Sequence, residues 1–252
     1  MFVSRGTLSL YLFSSLALCT QVPYSDYILA PSSRLLTAKE IYMTNGTVQS
    51  AECLISDDSS CGGTSFLGVN SSVTLDFGQN IAGTVQFSVD SVNGSSEFLG
   101  FSFTESSEWI SPYECDGTQN SGRDAPLWFP VASSGSYGSD KYHQRGGFRY
   151  MSVWHNSSGT LSLSDLKVNW TASPSEENPQ SYSGYFHSSS EKLNRVWYAG
   201  AYTNQLCTIS TDTGSALSLS LDDWYYNATL ASKYLWHCTR FPYSASTLLV
   251  KI

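Results

Sequence analysis

A chain of 252 residues has room for one large domain or two modest ones, and 41% hydrophobic residues provide a sizeable core, which excludes wholesale disorder. A net charge of -8 excludes nucleic acid and an anionic membrane surface as partners. Charged residues make up only 13% of the chain while aromatics reach 14%, so the ligands to expect are neutral ones, met through rings and hydroxyls. Taken in chain order, residues 1–19 read as a secretory signal peptide. Arg5 supplies the positive start, Leu8 to Phe13 begins an apolar stretch, and Ala17-Leu18-Cys19 brings small residues to a cleavage point before Thr20. The apolar run is about 12 residues, short of the roughly 20 that cross a bilayer. No later segment is long and apolar enough to span one, so a soluble, secreted, extracellular chain is expected.

Two further signals follow from that route. Six Asn-x-Ser/Thr sequons are glycosylation candidates: Asn45, Asn70, Asn93, Asn156, Asn169 and Asn227. Asn169 is the weakest of them, because Val168 and Trp170 look like strand residues. In an oxidising compartment Cys53 and Cys61 are placed to close a short disulfide loop, worth about 2.5 kcal/mol by chain entropy. The pairing of Cys115, Cys207 and Cys238 stays open.

Residues 20–172 are expected to form an antiparallel β-sandwich. Val73, Leu75 and Phe77 alternate with polar residues, as do Val85, Phe87 and Val89, then Leu99, Phe101 and Phe103, Met151 and Val153, and Leu161 to Trp170. Asn93-Gly94 lies between two such runs and predicts a hairpin turn. Residues 173–187, with Pro174 and Pro179, read as a linker. Ser189 or Ser190 then caps a helix over residues 191–209. Its two apolar stripes, one through Leu193, Val196, Trp197, Gly200 and Ala201 and the other through Tyr198, Tyr202, Leu206 and Ile209, predict burial on more than one side. A sandwich alone does not provide that, so residues 188–252 read as the start of a second domain whose remainder is missing.

No single string announces an activity. Gly-x-Ser-x-Gly, Gly-x-Gly-x-x-Gly and Walker loops are absent from the sequence, and neither Cys-x-x-Cys nor clustered histidine points to zinc, so no cofactor or metal is expected. His143, His155, His187 and His237 stand alone. Glu105 and Glu108 are the most tempting carboxylate pair, since glycoside hydrolysis needs two carboxyl groups across the scissile bond, but solvated loop acids are the simpler reading. Asp222 and Asp223 sit beside aromatics in the same ambiguous way. Trp109, Trp128 and Trp154 are candidates for stacking on the apolar face of a sugar ring, with core packing as the competing role for each.

Several strings gain meaning in order. They are Tyr27-Ile28-Leu29-Ala30-Pro31-Ser32-Ser33-Arg34, Leu75-Asp76-Phe77-Gly78-Gln79-Asn80-Ile81-Ala82-Gly83, Leu127-Trp128-Phe129-Pro130-Val131, Gly147-Phe148-Arg149-Tyr150-Met151 and Val196-Trp197-Tyr198-Ala199-Gly200-Ala201-Tyr202-Thr203. In this succession, over about residues 22–217, the chain resembles fungal α-L-rhamnosidase-like proteins of glycoside hydrolase family 78 and its six-hairpin relatives. The resemblance implies a jelly-roll-like accessory sandwich followed by the first helix of an incomplete (α/α)6 barrel. It also implies a carbohydrate partner, a rhamnose-containing plant glycoside, hydrolysed in the family with inversion. The family's acids lie in an Arg-Asp-Arg stretch and later barrel helices; this sequence contains no Arg-Asp-Arg, so no catalytic residue is assigned. The expected function is therefore an inactive fragment of such an enzyme, whether as a truncated paralogue or through a gene-model error. A self-sufficient carbohydrate-binding sandwich and a wall-associated structural glycoprotein are the alternatives.

Overall fold

The structure, a computed structural model, describes residues 24–94, 97–112, 114–115, 125–211 and 213. The signal segment, Asp222, Asp223, Asn227, His237 and Cys238 lie outside the described residues. The described residues form eight strands: β1 (Leu35–Leu36), β2 (Glu40–Gln49), β3 (Thr64–Asn93), β4 (Glu97–Thr104), β5 (Leu127–Val131), β6 (Gly135–Gly138), β7 (Arg145–His155) and β8 (Thr160–Trp170). One α-helix, α1 (Glu191–Leu206), follows them among the described residues. All pairings are antiparallel, in the order β1-β8-β3-β7-β4-β5, with β2 and β6 also joined to β3.

The long strand β3 is what turns this sheet into a sandwich. Its first stretch, Thr64–Leu67, and its last, Gly83–Asn93, flank β8 on either side, whereas Ser71–Asp76 in between pairs with β7 and β2. The chain thus leaves one layer, crosses to the other and returns. Each crossing uses residues in the left-handed region: Gly68 and Asn70 at the first corner (φ 73° and 62°), Gly78 at the second (φ 78°). The first layer is the first part of β2 (residues 40–45), the middle of β3, β7, β4 and β5; the second is β1, β8, the ends of β3, the last part of β2 (residues 47–49) and β6.

Alternation along the strands fills the space between the layers. Val73, Leu75, Leu99, Phe101, Phe103, Leu127, Phe129, Met151 and Val153 from one side meet Phe66, Val85, Phe87, Leu161, Leu163, Val168 and Trp170 from the other, all buried. Phe87 of the second layer touches Phe101 and Phe129 of the first, with ring centroids 5.1 and 5.2 Å apart. The alternating sequence is thus a β-sandwich with one helix appended.

Two local expectations are corrected. Asn93-Gly94 is not a hairpin turn: β3 ends on β8, while β4 pairs with β5 and β7, so the segment passes between layers. The reason lies in Glu97, which turns inward at the start of β4 to meet His155. The helix stops at Leu206, three residues before the expected end, where Thr208 N–H bonds back to Gln205 and the Thr208 carbonyl is taken by Ser173 N–H. Its N-terminus is capped by the Ser190 side chain. Cys53 and Cys61 form a disulfide around a short loop, and the Cys115 sulfur accepts the Phe103 N–H in the core.

Candidate functional site

The outward face of the first layer places the most distinctive side chains together. Cross-strand partners lie on the same side of a sheet, so the register lays out one row as Asn45 (β2), Ser72 (β3), Trp154 (β7), Gly100 (β4) and Trp128 (β5). A second row runs Thr74, Ser152, Ser102, and a third Glu40, Asp76, Tyr150, Thr104. The residues between these on each strand point into the core, which is why the same strands read as half apolar and half hydroxyl-bearing.

The hydroxyls form a closed floor. Thr74 and Ser152 share a hydrogen bond of 2.7 Å, and Ser102 accepts the indole N–H of Trp154 at 2.8 Å. Ser72, Thr74, Ser102 and Ser152 are all buried. Above this floor the aromatic rings are held in fixed orientations. Gly100 is required for that: a Cβ there would lie 2.5 Å from the Trp128 ring, so only glycine lets the indole cover the strand. Trp128 is in consequence nearly buried, at 7% exposure, and Trp154 is half-buried with its N–H tied down.

The third row adds charge. Arg149 grips Asp76 with two hydrogen bonds, 2.8 and 2.7 Å, and lies over the Tyr150 ring at 5.2 Å. Tyr150 meets the exposed Tyr42 edge to face at 5.1 Å. The Arg149 hydrogen bonds hold the Asp76 carboxyl below the usual carboxylate range, outweighing its burial, and Asp76 holds the guanidinium in its charged form. The face therefore presents a fixed indole, a phenol pair and a cation whose counter-ion lies beneath it. A flat ring can stack on an apolar face, and a guanidinium can donate to hydroxyls.

Of the three tryptophans singled out by sequence, the structure brings Trp128 and Trp154 into one row and leaves Trp109 apart. Trp109 is 66% exposed, on the one-turn helix after β4 that also carries Glu108. Glu108 is exposed on this turn and Glu105 is exposed just before it. The three histidines among the described residues are not solitary. His143 lies 2.7 Å from Asp140, His187 stacks on Tyr24, and His155 is enclosed between the Gly68 carbonyl at 2.9 Å and the Glu97 carboxylate at 2.7 Å. His155 and Glu97 are both sealed from solvent, so their pairing is architectural. Sequence reasoning missed Arg149, Asp76 and the floor. The available signal was a single charge in each of two otherwise apolar strand motifs.

Comparison with known proteins gives limited likeness. No family model matches the chain, and no curated protein matches it. Among solved structures it is similar to a rhamnosidase from Klebsiella oxytoca with rhamnose bound, at 19% identity and TM-score 0.41, over 57% of this chain and 28% of that one. A GH78 family rhamnosidase of Bacillus sp. GL1 gives 20% identity and TM-score 0.40, over 56% and 13%. The CBM32 of AlyQ, in complex with 4,5-unsaturated mannuronic acid, gives 13% identity and TM-score 0.29, over 56% and 94%. The chain spans less than a third of the length of either rhamnosidase.

Proposed function

We propose that this chain is the sugar-recognising sandwich of a secreted rhamnosidase-type glycoside hydrolase, and that it binds a rhamnose-bearing glycan without hydrolysing it. The observation that carries the reading is the Trp154 indole, fixed by Ser102 in a row with Trp128 and flanked by the Arg149–Asp76 pair. A 6-deoxy sugar has a methyl group and an apolar ring face suited to a flat indole, and hydroxyls suited to a guanidinium. The order of sequence motifs supports the rhamnosidase affiliation. The commitments of four acids among the described residues support the reading of no turnover: Asp76 serves Arg149, Glu97 serves His155, Asp140 serves His143 and Asp57 serves Lys167. Each is occupied by a cation or imidazole rather than set opposite a second carboxyl across a cleft.

Calorimetric titration with rhamnose-terminated oligosaccharides tests the reading. Saturable binding that weakens at least about tenfold in Trp154→Ala and is retained in Trp109→Ala is expected, the loss of one stacked ring being on the order of 1–2 kcal/mol. Loss in Trp109→Ala alone moves the site to the turn after β4. No binding to any glycan refutes recognition, and hydrolysis of an aryl rhamnoside by the purified chain refutes inactivity.

A further inference from the structure

Four of the sequons, widely spaced in sequence, gather at one end of the sandwich. Asn70 is at the first corner of β3, one residue before Ser71, and Ser71 pairs with His155. Asn156 directly follows His155 and donates its backbone N–H to the Phe98 carbonyl. Asn93 closes β3 opposite Thr160, which also faces Leu67, while Gly68 N–H bonds to the Gly159 carbonyl. Asn45 lies opposite Ser72, with its side-chain nitrogen 3.5 Å from the Ser72 hydroxyl. All four asparagines are exposed. At the other end the helix and its lead-in dock: Tyr202 donates to the Asn80 carbonyl, Gln79 to the Leu29 carbonyl, and Arg34 to the carbonyls of Trp170 and Ala172. Asn169 belongs to that end. It is half-buried in β8, between Leu35 of β1 and Thr84 of β3.

We propose that Asn45, Asn70, Asn93 and Asn156 carry N-linked glycans that cap one end of the sandwich, and that Asn169 stays bare. The proposal rests on the secretion reading and extends it. In the transfer, the Asn amide nitrogen bonds to the anomeric carbon of a lipid-diphosphate-linked oligosaccharide and loses one proton. The bond from that carbon to the phosphate oxygen breaks, and lipid diphosphate leaves. A branched glycan needs an open cone of solvent once the chain has folded. Corner and strand-end positions provide it, whereas a residue with strands on both sides does not. The consequence is a molecule with two unlike ends: one clothed in sugar, with the Asn45 glycan bordering the Trp154 row, the other left bare where the helix sits.

The test is expression of the full chain in a eukaryotic secretory host, once behind its own residues 1–19 and once behind a leader of proven efficiency. Peptide mapping follows, after enzymatic glycan release in heavy-oxygen water. Mass-tagged Asn45, Asn70, Asn93 and Asn156 with untagged Asn169 is the expected result. Occupied Asn169, or bare cap positions in protein secreted by the proven leader, overturns the proposal. Glycans present only with the proven leader count against the secretion reading and leave the cap supported. As a second readout, changing all four cap asparagines to Gln should abolish the mass shift on glycan removal, and a residual shift would contradict the assignment.

Discussion

The sandwich and the helix appended to it are held by different means. Between the layers the contacts are apolar and two-sided: Phe66, Phe87, Phe101, Met151 and Trp170 are enclosed on every face. The helix is bound along one stripe, where Tyr198 and Tyr202 are buried, and its anchors are polar. Arg34 donates to four carbonyls from Trp170 to Glu176, Gln180 reaches the Ala30 carbonyl, and Gln205 bonds to Pro179 and Glu176. Its other stripe is largely open, with Leu193 49% and Val196 59% exposed, while Trp197 stacks on Phe186. Burial without direction makes the core; a few directed hydrogen bonds fix where the helix and its lead-in lie.

Substitutions chosen from each region sharpen that contrast, and the largest effect is expected in the sandwich. His155→Ala leaves the Glu97 carboxylate buried without its partner, which costs about 3–5 kcal/mol and is read as a lower midpoint in urea unfolding. Arg34→Ala removes the clamp on residues 170–176 and should cost about 2 kcal/mol. Its signature is local: amide exchange quickens across Glu191–Leu206 while β7 and β8 keep their protection. Equal loss of protection everywhere would show helix and sandwich to be one cooperative unit.

The Asp76–Arg149 pair gives a smaller, pH-dependent effect. Because the folded-state carboxyl is held below its unfolded value of about 3.9, the stabilisation is fully present above that value. It is lost as pH falls through the depressed folded value. Asp76→Asn should remove a component on the order of 1 kcal/mol at neutral pH and flatten the acid limb of the stability profile. An unchanged acid limb would show the pair to be energetically idle. Smallest of all, Val196→Ser on the open stripe should alter stability by no more than about 0.5 kcal/mol. A larger loss would mean that stripe is covered.

Much of the sandwich was legible because its alternation is strict: every apolar residue of Leu99-Gly100-Phe101-Ser102-Phe103 points into the core. The path of β3 was not legible, since corners at Gly68, Asn70 and Gly78 interrupt no hydrophobic period and say nothing about which layer comes next. The helix was foreseen by its cap and its stripes, yet period alone cannot reveal that only one stripe is covered. The site was half visible. Trp128 and Trp154 could be named, but their adjacency depends on Gly100, whose missing side chain carries no signal of its own. The strings behind the family resemblance turn out to be contact partners: Tyr27 stacks on Tyr198, Asp76 binds Arg149, and Asn80 accepts from Tyr202. Read singly they are weak because each supplies half of a contact.

The Trp154 shelf, fixed by Ser102, is where the proposed glycan settles. A nuclear magnetic resonance titration of the intact chain with a rhamnose-terminated oligosaccharide reads that directly, through the side-chain N–H of each tryptophan. The signal of Trp154 should move progressively and saturate, followed by the Arg149 side chain, while Trp170 in the core stays still. Saturable movement confined to Trp109 or to the helix, or none at all, would contradict it.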